Sequence, residues 1–549
     1  MSDSKFVRGT LIVTFGTFFV KFLGMIYVFP FHQLVGTNGG TLYTYGYVPY
    51  QIFLSIATAG VPLAVSKFVS KYNALGDYET SRRMFRSGMK LMIFMGILSF
   101  LVLYMSAPLF AKAMLGNNTL ENSPQDVTMI IRLVSFALLV VPAASLIRGF
   151  FQGHQSMGPT TVSQIIEQII RIAMLLVGSY IVIRVLKGSV ATAVGVSTFA
   201  AFVSAVGALI VLLWYWVKRK HHMDKLLKSQ TVVPSSVSTP QLYKELFAYA
   251  IPYVVVGLAI PLYQQIDTLT FNKAMEAAGK AAIAEHALGI FTMWTHKLIM
   301  IPVSLATAFS LTLVPAITKS YTENKIKTLQ HQIEQAFQVN IFLTLPAVVG
   351  MSLLAYPIYR AFYDPDPLGG QVLMWYAPVA LLFALFSVTA AILQGINQQK
   401  HAIIGLVIGV VLKIMCNVVL IRYFDAIGGV LGTGIGFAAS IIYANNKIRQ
   451  KLHFSFERVY KRTFQISVIT ILMAFCANLI YNALSTIIPY TASRLDAFLI
   501  VGIAGSIGVV VYVFLAIRLD VAKHVFGEEL LQKLLTKFRR KIKLVSKQA

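Results

Sequence analysis

Long apolar runs separated by short polar connections make up the hydrophobic pattern of this chain. Such runs are typical of helices that cross a bilayer, because about 20 apolar residues span its hydrocarbon core. The pattern predicts an all-α, polytopic membrane protein with fourteen transmembrane segments, numbered here in chain order: 9–32, 42–66, 88–112, 128–151, 160–184, 190–217, 246–271, 286–317, 334–360, 371–394, 402–422, 428–446, 464–486 and 496–517. The count depends most on the two shortest connections, 185–189 and 423–427.

Composition and charge support this class and orient the segments. The 549 residues are 57% hydrophobic and only 12% charged, which is too apolar for a soluble protein of several domains. The formal net charge is +26, and Lys and Arg gather in the tail and in the connections 67–90, 218–244, 319–330 and 447–462. Connections rich in Lys and Arg stay in the cytoplasm, so both termini are predicted to be cytoplasmic as well.

The chain repeats itself. FFQGHQSMGPTTVSQIIEQIIRI (150–172) matches AILQGINQQKHAIIGLVIGVVLKI (391–414) at an offset of 242. IATAGVPLAVSKFVSKY (56–72) matches LATAFSLTLVPAITKSY (305–321) at an offset of 249. A repeat of six segments, an even number, keeps both halves in the same orientation, so two lobes related by a pseudo-two-fold axis along the membrane normal are predicted.

The predicted organisation follows from this repeat, with segments 13 and 14 as an addition. Its parts are an N-lobe at 1–220 (segments 1–6), a cytoplasmic linker at 221–244, a C-lobe at 245–448 (segments 7–12), segments 13 and 14 within 449–518, and a cytoplasmic tail at 519–549. In the tail, LLQKLLTKFRRKIKL (530–544) has an apolar face and a basic face, so it is expected to lie along the anionic inner leaflet.

Several stretches resemble the MurJ-type branch of the multidrug/oligosaccharidyl-lipid/polysaccharide exporter superfamily. They are FVKFLG in segment 1, KLIMIPVSLATAFSLTLVPAITKSY in segment 8 and the Gln-Gly ends of segments 4 and 10. The resemblance covers nearly the whole chain and implies a flippase of the bacterial cytoplasmic membrane. Its implied substrate is lipid II, an undecaprenyl-pyrophosphate-linked peptidoglycan precursor, moved to the outer leaflet by alternating access. One departure is that Tyr27 and Ser55 stand approximately where other branches cluster arginines.

Basic residues at membrane depth are the candidate substrate-binding groups. They are Lys21, Arg171, Lys297 and Lys413, from both halves of the chain. A cation there costs roughly 3 kcal/mol on insertion scales, whereas a cationic cavity would offset the desolvation of a pyrophosphate dianion. The alternative is that each one reaches the interface or pairs with a carboxylate. For Arg171 both interpretations stay open, because Glu167 lies one helical turn earlier.

An intramembrane acid raises the question of a coupling ion. Asp267 in segment 7, with Asn417 and Thr433, would offer oxygen ligands to Na+. The competing interpretation is that Asp267 pairs with Lys297 or opens toward external water. Apart from Na+, no cofactor and no metal site is expected.

An enzyme is not predicted. Asp364-Pro-Asp366 resembles the two-carboxylate site of a glycosyltransferase, but Asp and Pro in a short loop favour a turn, and no catalytic motif accompanies it. The alternatives to a lipid II flippase are an exporter of another polyprenyl-linked oligosaccharide and a multidrug/cation antiporter. The expected partners are the lipid-linked precursor, inner-leaflet lipids and cell-wall synthesis enzymes. A monomer is expected, and nucleic acid is not. Without an ATP-binding motif, the membrane potential is predicted to drive export.

Overall fold

Helices form the structure. The computed structural model describes residues 19–20, 23–58, 60–115, 121–233, 240–241, 243–244, 251 and 254–526, and no strand occurs in these ranges. The all-α class is therefore confirmed. Lys21 and the amphipathic segment 530–544 lie outside the described residues.

The chain forms two compact units, Met1–Met293 and Trp294–Ala549. The helices described in the first unit are α1 (Val28–Thr58), α2 (Val61–Ala74), α3 (Tyr78–Leu115), α4 (Pro124–Ser135), α5 (Val141–Gly153), α6 (Met157–Tyr180), α7 (Val190–Lys228), α8 (Ala259–Ala277) and α9 (Ala284–Gly289). Those of the second unit are α10 (His296–Thr322), α11 (Ile326–Leu353), α12 (Ala355–Phe362), α13 (Pro367–Gly395), α14 (Gln399–Leu452), α15 (Glu457–Ile487), α16 (Arg494–Arg518) and α17 (Val521–Phe526). These units are defined by packing, whereas the predicted lobes are defined by the repeat, so the lobe boundaries stay a prediction.

Two long helical runs each contain a break. In α1 the backbone leaves helical geometry at Gly36 (φ 68°), between predicted segments 1 and 2. In α14 it does so at Asp425 (φ 54°), inside the short connection 423–427. Within the described ranges, nine helices are long and apolar enough to cross a membrane, and α14 alone covers predicted segments 11 and 12. The total of fourteen stays a prediction that agrees with this fold.

Several helices extend beyond the predicted apolar segments. Segment 3 was expected to begin at residue 88, but α3 begins at Tyr78, and α7 continues to Lys228 instead of ending at 217. Hydrophobicity marks only the part of a helix that lipid surrounds, whereas backbone hydrogen bonding continues into the aqueous connection. The basic connections, which are predicted to be cytoplasmic, are therefore largely helical where they are described.

The two units share one local structure at the Gln-Gly repeat. The helices α5 and α13 both end at its glycine, Gly153 or Gly395, and a residue with positive φ follows two positions later in each case. A Cβ on Gly153 would lie 2.7 Å from the Cβ of Val69, and one on Gly395 would lie 2.6 Å from Cγ2 of Ile317. The glycines thus permit equivalent close helix approaches, which supports the predicted repeat at an offset of 242.

The second match also has a structural counterpart, in a register shifted by one residue. The amide of Asp77 donates to the Tyr72 carbonyl, and the amide of Lys325 donates to the Ser320 carbonyl, both at 2.9 Å. These helix-ending bonds correspond at an offset of 248, whereas the sequences align at 249. The sequence match followed identical side chains, but the hydrogen bonds that end a helix follow the backbone.

Predicted segments 13 and 14 belong to the second unit as α15 and α16. Ile466 and Met473 from α15 and Tyr512 from α16 form a buried cluster with Phe342 of α11. The Tyr512 hydroxyl donates to the Phe342 carbonyl at 2.8 Å. These two helices are therefore packed onto the unit through their small and apolar residues.

Gly149 tests the close packing of α5 against α2. A Cβ at this position would overlap the carbonyl oxygen of Pro62, which is backbone and cannot turn away. We expect Gly149→Ala to destabilise the protein by about 1–3 kcal/mol and to lower its thermal unfolding midpoint in detergent. Gly158→Ala is the control, since nothing lies within 4 Å of a Cβ there. Equal midpoints for the two variants would contradict this packing.

Candidate functional site

The predicted pair of Glu167 and Arg171 forms in the structure, and a third charged side chain, that of Arg148, joins it. Nη2 of Arg171 donates to Oε1 of Glu167 at 2.8 Å, and Nη2 of Arg148 donates to Oε2 at 2.6 Å. One carboxylate thus bridges two guanidiniums, from α5 and α6. The side chains of Arg148, Glu167 and Arg171 are 14%, 16% and 23% exposed, respectively. We call these three residues the arginine cluster.

Two serines hold the guanidiniums independently of the carboxylate. Nε of Arg148 donates to Oγ of Ser163 at 3.0 Å, and Nε of Arg171 donates to Oγ of Ser204 at 3.4 Å. Ser204 is fully buried on α7, so Arg171 connects α6 to α7. Each arginine is therefore positioned by one neutral and one charged acceptor.

Tyrosines of α1 surround the Arg171 side of this cluster. The rings of Tyr43 and Tyr47 stack with their centroids 5.1 Å apart, and the rings of Tyr47 and Tyr50 lie 5.5 Å apart. All three side chains lie within electrostatic range of Arg171. The cluster therefore faces an aromatic and hydroxyl-rich stretch of α1.

Arg148 was missed in the sequence although it carried a signal. It lies within predicted segment 4, between Ile147 and Gly149, and an arginine inside an apolar segment implies a functional or pairing role. The carboxylate that Arg148 contacts belongs to Glu167, which is 19 residues away along the chain and on another helix. No helical spacing connects these two positions, so only the packing of α5 against α6 reveals the contact.

Lys413 is fully buried in the second unit. Its ammonium donates to the Thr433 hydroxyl at 2.6 Å and lies 3.5 Å from the Gly429 carbonyl. Asn417 is also fully buried beside these residues, since a Cβ on Gly432 would lie 2.8 Å from Oδ1 of Asn417. The structure thus brings together Lys413, Asn417 and Thr433, and the binding roles suggested for them stay predictions.

The remaining candidates belong to other elements. Lys297 is half-buried on α10, next to His296, whose Nδ1 lies 3.0 Å from the Tyr376 hydroxyl. Asp267 is 2% exposed on α8, in the first unit. Lys21 is outside the described residues. The substrate-binding and Na+-binding roles of these residues stay predictions.

Glu285 forms a second polar cluster that the sequence did not single out. It precedes predicted segment 8, and its carboxylate accepts bonds from the backbone N (3.0 Å) and Nδ2 (3.1 Å) of Asn122. Its carbonyl accepts from the Thr41 hydroxyl at 2.8 Å. Burial raises the pKa of the Glu285 carboxyl, and the bonds from Asn122 oppose that rise. Glu285 therefore joins α9 to the connections 33–41 and 113–127, which the predicted alternation of the segments places on the external side.

Known proteins resemble the chain in both sequence and fold. A family model described as Polysaccharide biosynthesis protein matches residues 6–321, and one described as MatE matches residues 252–419. The chain is 48% identical to Lipid II flippase MurJ of Bacillus subtilis (strain 168), over 96% of this chain and 98% of that protein. It is 26% identical to Uncharacterized membrane protein YabM of the same organism, over 81% and 80% of the two chains.

Solved structures of other proteins have a fold similar to that of this chain. A structure described as Lipid II flippase MurJ, inward closed conformation, covers 92% of this chain with a TM-score of 0.65 and 14% identity, and this chain covers 98% of it. An inward-facing multidrug resistance MATE family transporter of the MOP superfamily covers 78% of this chain with a TM-score of 0.59 and 15% identity, with 98% of that transporter covered. At such identities the likeness concerns the fold alone.

These observations define a multi-pass membrane transporter of the MOP class. Because of its near-full-length identity to the Bacillus subtilis protein, the chain belongs to the MurJ family of polysaccharide biosynthesis proteins.

Mutations in the arginine cluster test its charge balance. Glu167→Gln would leave two guanidiniums without their carboxylate, whereas Arg171→Gln would leave the one-to-one pair of Arg148 and Glu167. Breaking a fully buried pair costs about 3–5 kcal/mol, and partial exposure lowers this cost. We therefore expect Glu167→Gln to lower the thermal midpoint more than Arg171→Gln, and Glu167→Gln with Arg148→Gln to recover part of the loss.

Arg82 provides the control for these variants. It forms an ion pair with Asp224 at 2.7 Å, and both side chains are about one-third exposed. Since such pairs contribute about 1 kcal/mol or less, Arg82→Gln should change the midpoint little. A smaller loss for Glu167→Gln than for Arg171→Gln would show that the shared carboxylate does not balance the cluster.

Proposed function

We propose that this chain is a lipid II flippase that moves the undecaprenyl-pyrophosphate-linked precursor from the cytoplasmic to the outer leaflet. The observation that carries the proposal is the 48% identity to Lipid II flippase MurJ over nearly the full length of both chains. The many intramembrane cations support it, because the substrate headgroup is anionic. The protein acts as a transporter and catalyses no covalent step.

Alternating access is the proposed mechanism. The two repeated halves rock about the substrate path, so that a cavity opens first to the cytoplasm and then to the outside. Lys21 and Lys297, with Lys413 and Arg171 in support, lower the cost of bringing the pyrophosphate to membrane depth. The polyprenyl tail stays in the bilayer, the termini are cytoplasmic, and the tail segment 530–544 binds anionic inner-leaflet lipids.

Rescue of a strain depleted of its own lipid II flippase tests the function. Wild-type protein should restore growth and the appearance of lipid II in the outer leaflet. YabM of Bacillus subtilis, at 26% identity, is a suitable comparison at matched expression. Failure of well-expressed wild-type protein would favour an exporter of another polyprenyl-linked oligosaccharide.

Lys297 is the described lysine proposed to contact substrate. Lys297→Ala should abolish transport while membrane insertion and thermal stability stay nearly unchanged, and Lys297→Arg should retain part of the activity because it keeps the charge. Lys21→Ala is expected to behave in the same way. Lys319→Ala is the control on the same helix, since its side chain is 75% exposed. Parallel loss of insertion and transport would instead assign Lys297 a structural role.

The membrane potential is the proposed energy source. A potential negative inside drives an anion outward with about 2.3 kcal/mol per charge per 100 mV, hence roughly 4–5 kcal/mol for a dianion that crosses the whole field. This would sustain about a thousandfold accumulation. The cationic residues cancel part of it if they move through the field with the substrate. Na+ bound at Asp267 is proposed to influence only the return step.

Selective ionophores test the energy source. Collapse of the potential with valinomycin and potassium should reduce the outer-leaflet precursor, whereas removal of the pH gradient with nigericin should leave most of it. Undiminished transport without a potential, together with loss under nigericin or on sodium removal, would replace this proposal with ion antiport.

A further inference from the structure

The arginine cluster carries two positive charges and one negative charge within the membrane-spanning part of the first unit. We propose that it is a binding site for a phosphoryl anion, in which Glu167 is the resident anion and a phosphate or pyrophosphate group competes for the two guanidiniums. This inference rests on the proposed function, since it names Arg148 and Arg171 as the residues that receive the pyrophosphate of the lipid substrate.

The hydrogen bonds of the cluster leave capacity for such a ligand. Among the bonds within the described residues, each guanidinium uses its Nε and Nη2. A guanidinium has five N–H donors in a planar fork that matches phosphate oxygens in pairs. The cluster can therefore bind an anion through further donors, and it gains the Nη2 donors when Glu167 turns away.

The two serines make an exchange of anions feasible. Ser163 and Ser204 hold the Nε atoms of Arg148 and Arg171, so the guanidiniums keep one anchor each when the carboxylate is displaced. The site is then preorganised, and the ligand does not have to order two long side chains on binding. Until the ligand binds, Glu167 neutralises one of the two guanidinium charges.

Charge favours the bound state. With Glu167 in place, the cluster keeps one excess positive charge in a region of low dielectric. When Glu167 turns away, the two guanidiniums balance the two charges of a pyrophosphate dianion. The three side chains are partly exposed, at 14–23%. Charge-assisted bonds to an anion are about twice as strong as neutral ones.

The positions of Arg148 and Arg171 along their helices place the two residues at different depths in the membrane. Arg148 lies five residues before the end of α5, about 7–8 Å from it, and Arg171 lies fourteen residues after the start of α6, about 21 Å from it. These two helix ends meet in the turn 154–156, which is predicted to be cytoplasmic. An anion that enters from the cytoplasm would meet Arg148 first and Arg171 deeper in the membrane.

Binding of inorganic pyrophosphate to the full-length protein in detergent tests the site. Arg148→Gln and Arg171→Gln should each weaken binding by about tenfold or more, which is the effect of losing one charge-assisted hydrogen bond. Glu167→Gln should tighten binding by about tenfold, because the competing anion is gone. Arg82→Gln, from the exposed pair with Asp224, should bind as wild type does.

The sign of the Glu167→Gln effect is decisive. If Glu167 only positions the arginines, its loss would weaken binding or leave it unchanged, and either result would overturn the proposal. Thermal midpoints without ligand identify variants that fail to fold. If the Gln variants of the arginines fail to fold, Arg148→Lys and Arg171→Lys replace them and should weaken pyrophosphate binding by up to about tenfold. Wild-type affinity in both Lys variants would also overturn the site.

A second arm distinguishes the source of the anion. Undecaprenyl pyrophosphate in the same micelles should show the same order of variants, with Glu167→Gln tightest. Variant effects restricted to inorganic pyrophosphate would indicate a free-anion site and overturn the assignment to the lipid headgroup.

Rescue separates this inference from the proposed function. Wild-type rescue, combined with unchanged pyrophosphate binding in the variants, would remove the site and keep the flippase. Failure of wild-type rescue, combined with tighter binding in Glu167→Gln, would keep the anion site and remove lipid II as its substrate.

Discussion

The cost of an uncompensated charge in hydrocarbon is the constraint on which the polar interior of this protein depends. Such a charge costs at least about 3 kcal/mol, so each intramembrane cation needs an acceptor that only a neighbouring helix or turn can supply. Glu167 meets this need for two arginines, and Thr433 with the Gly429 carbonyl does so for Lys413. The position of each intramembrane charge therefore depends on how the helices pack. The same cost makes the cations suited to an anionic substrate.

The two repeats meet this constraint with different chemistry on one backbone plan. Arg171 and Lys413 correspond at the offset of 242. Arg171 is partly exposed and bound to the Glu167 carboxylate, whereas Lys413 is fully buried and donates to the Thr433 hydroxyl. The positions corresponding to Arg148 and Glu167 are Ala390 and Gly409. The arginine cluster is thus a property of the first repeat alone. The similarity to the MurJ family extends over nearly the whole chain. The charged residues of the arginine cluster differ between the two halves of the chain.

Glycines and helix breaks allow the packing on which these charges depend. Gly149 and Gly153 bring α5 close to α2, and Gly395 has the corresponding role in the second unit. Positive φ angles at Gly36 and Asp425 change the chain direction within continuous helical runs. In lipid, every backbone group must still find a partner, so these breaks are confined to short stretches at predicted connections.

The sequence by itself determined the all-α membrane class, most segment positions within the described residues, and the family, and it predicted the six-segment repeat. These features depend on hydrophobicity and on neighbours along one helix, as the pair of Glu167 and Arg171 at four residues does. Only the tertiary structure revealed Arg148 on the same carboxylate and the Thr433 acceptor of Lys413. The reason is physical: contacts between helices depend on how their surfaces cross, and spacing along the chain carries no record of that angle. Lys21 and the tail 530–544 lie outside the described residues, so for them the sequence remains the source of the prediction.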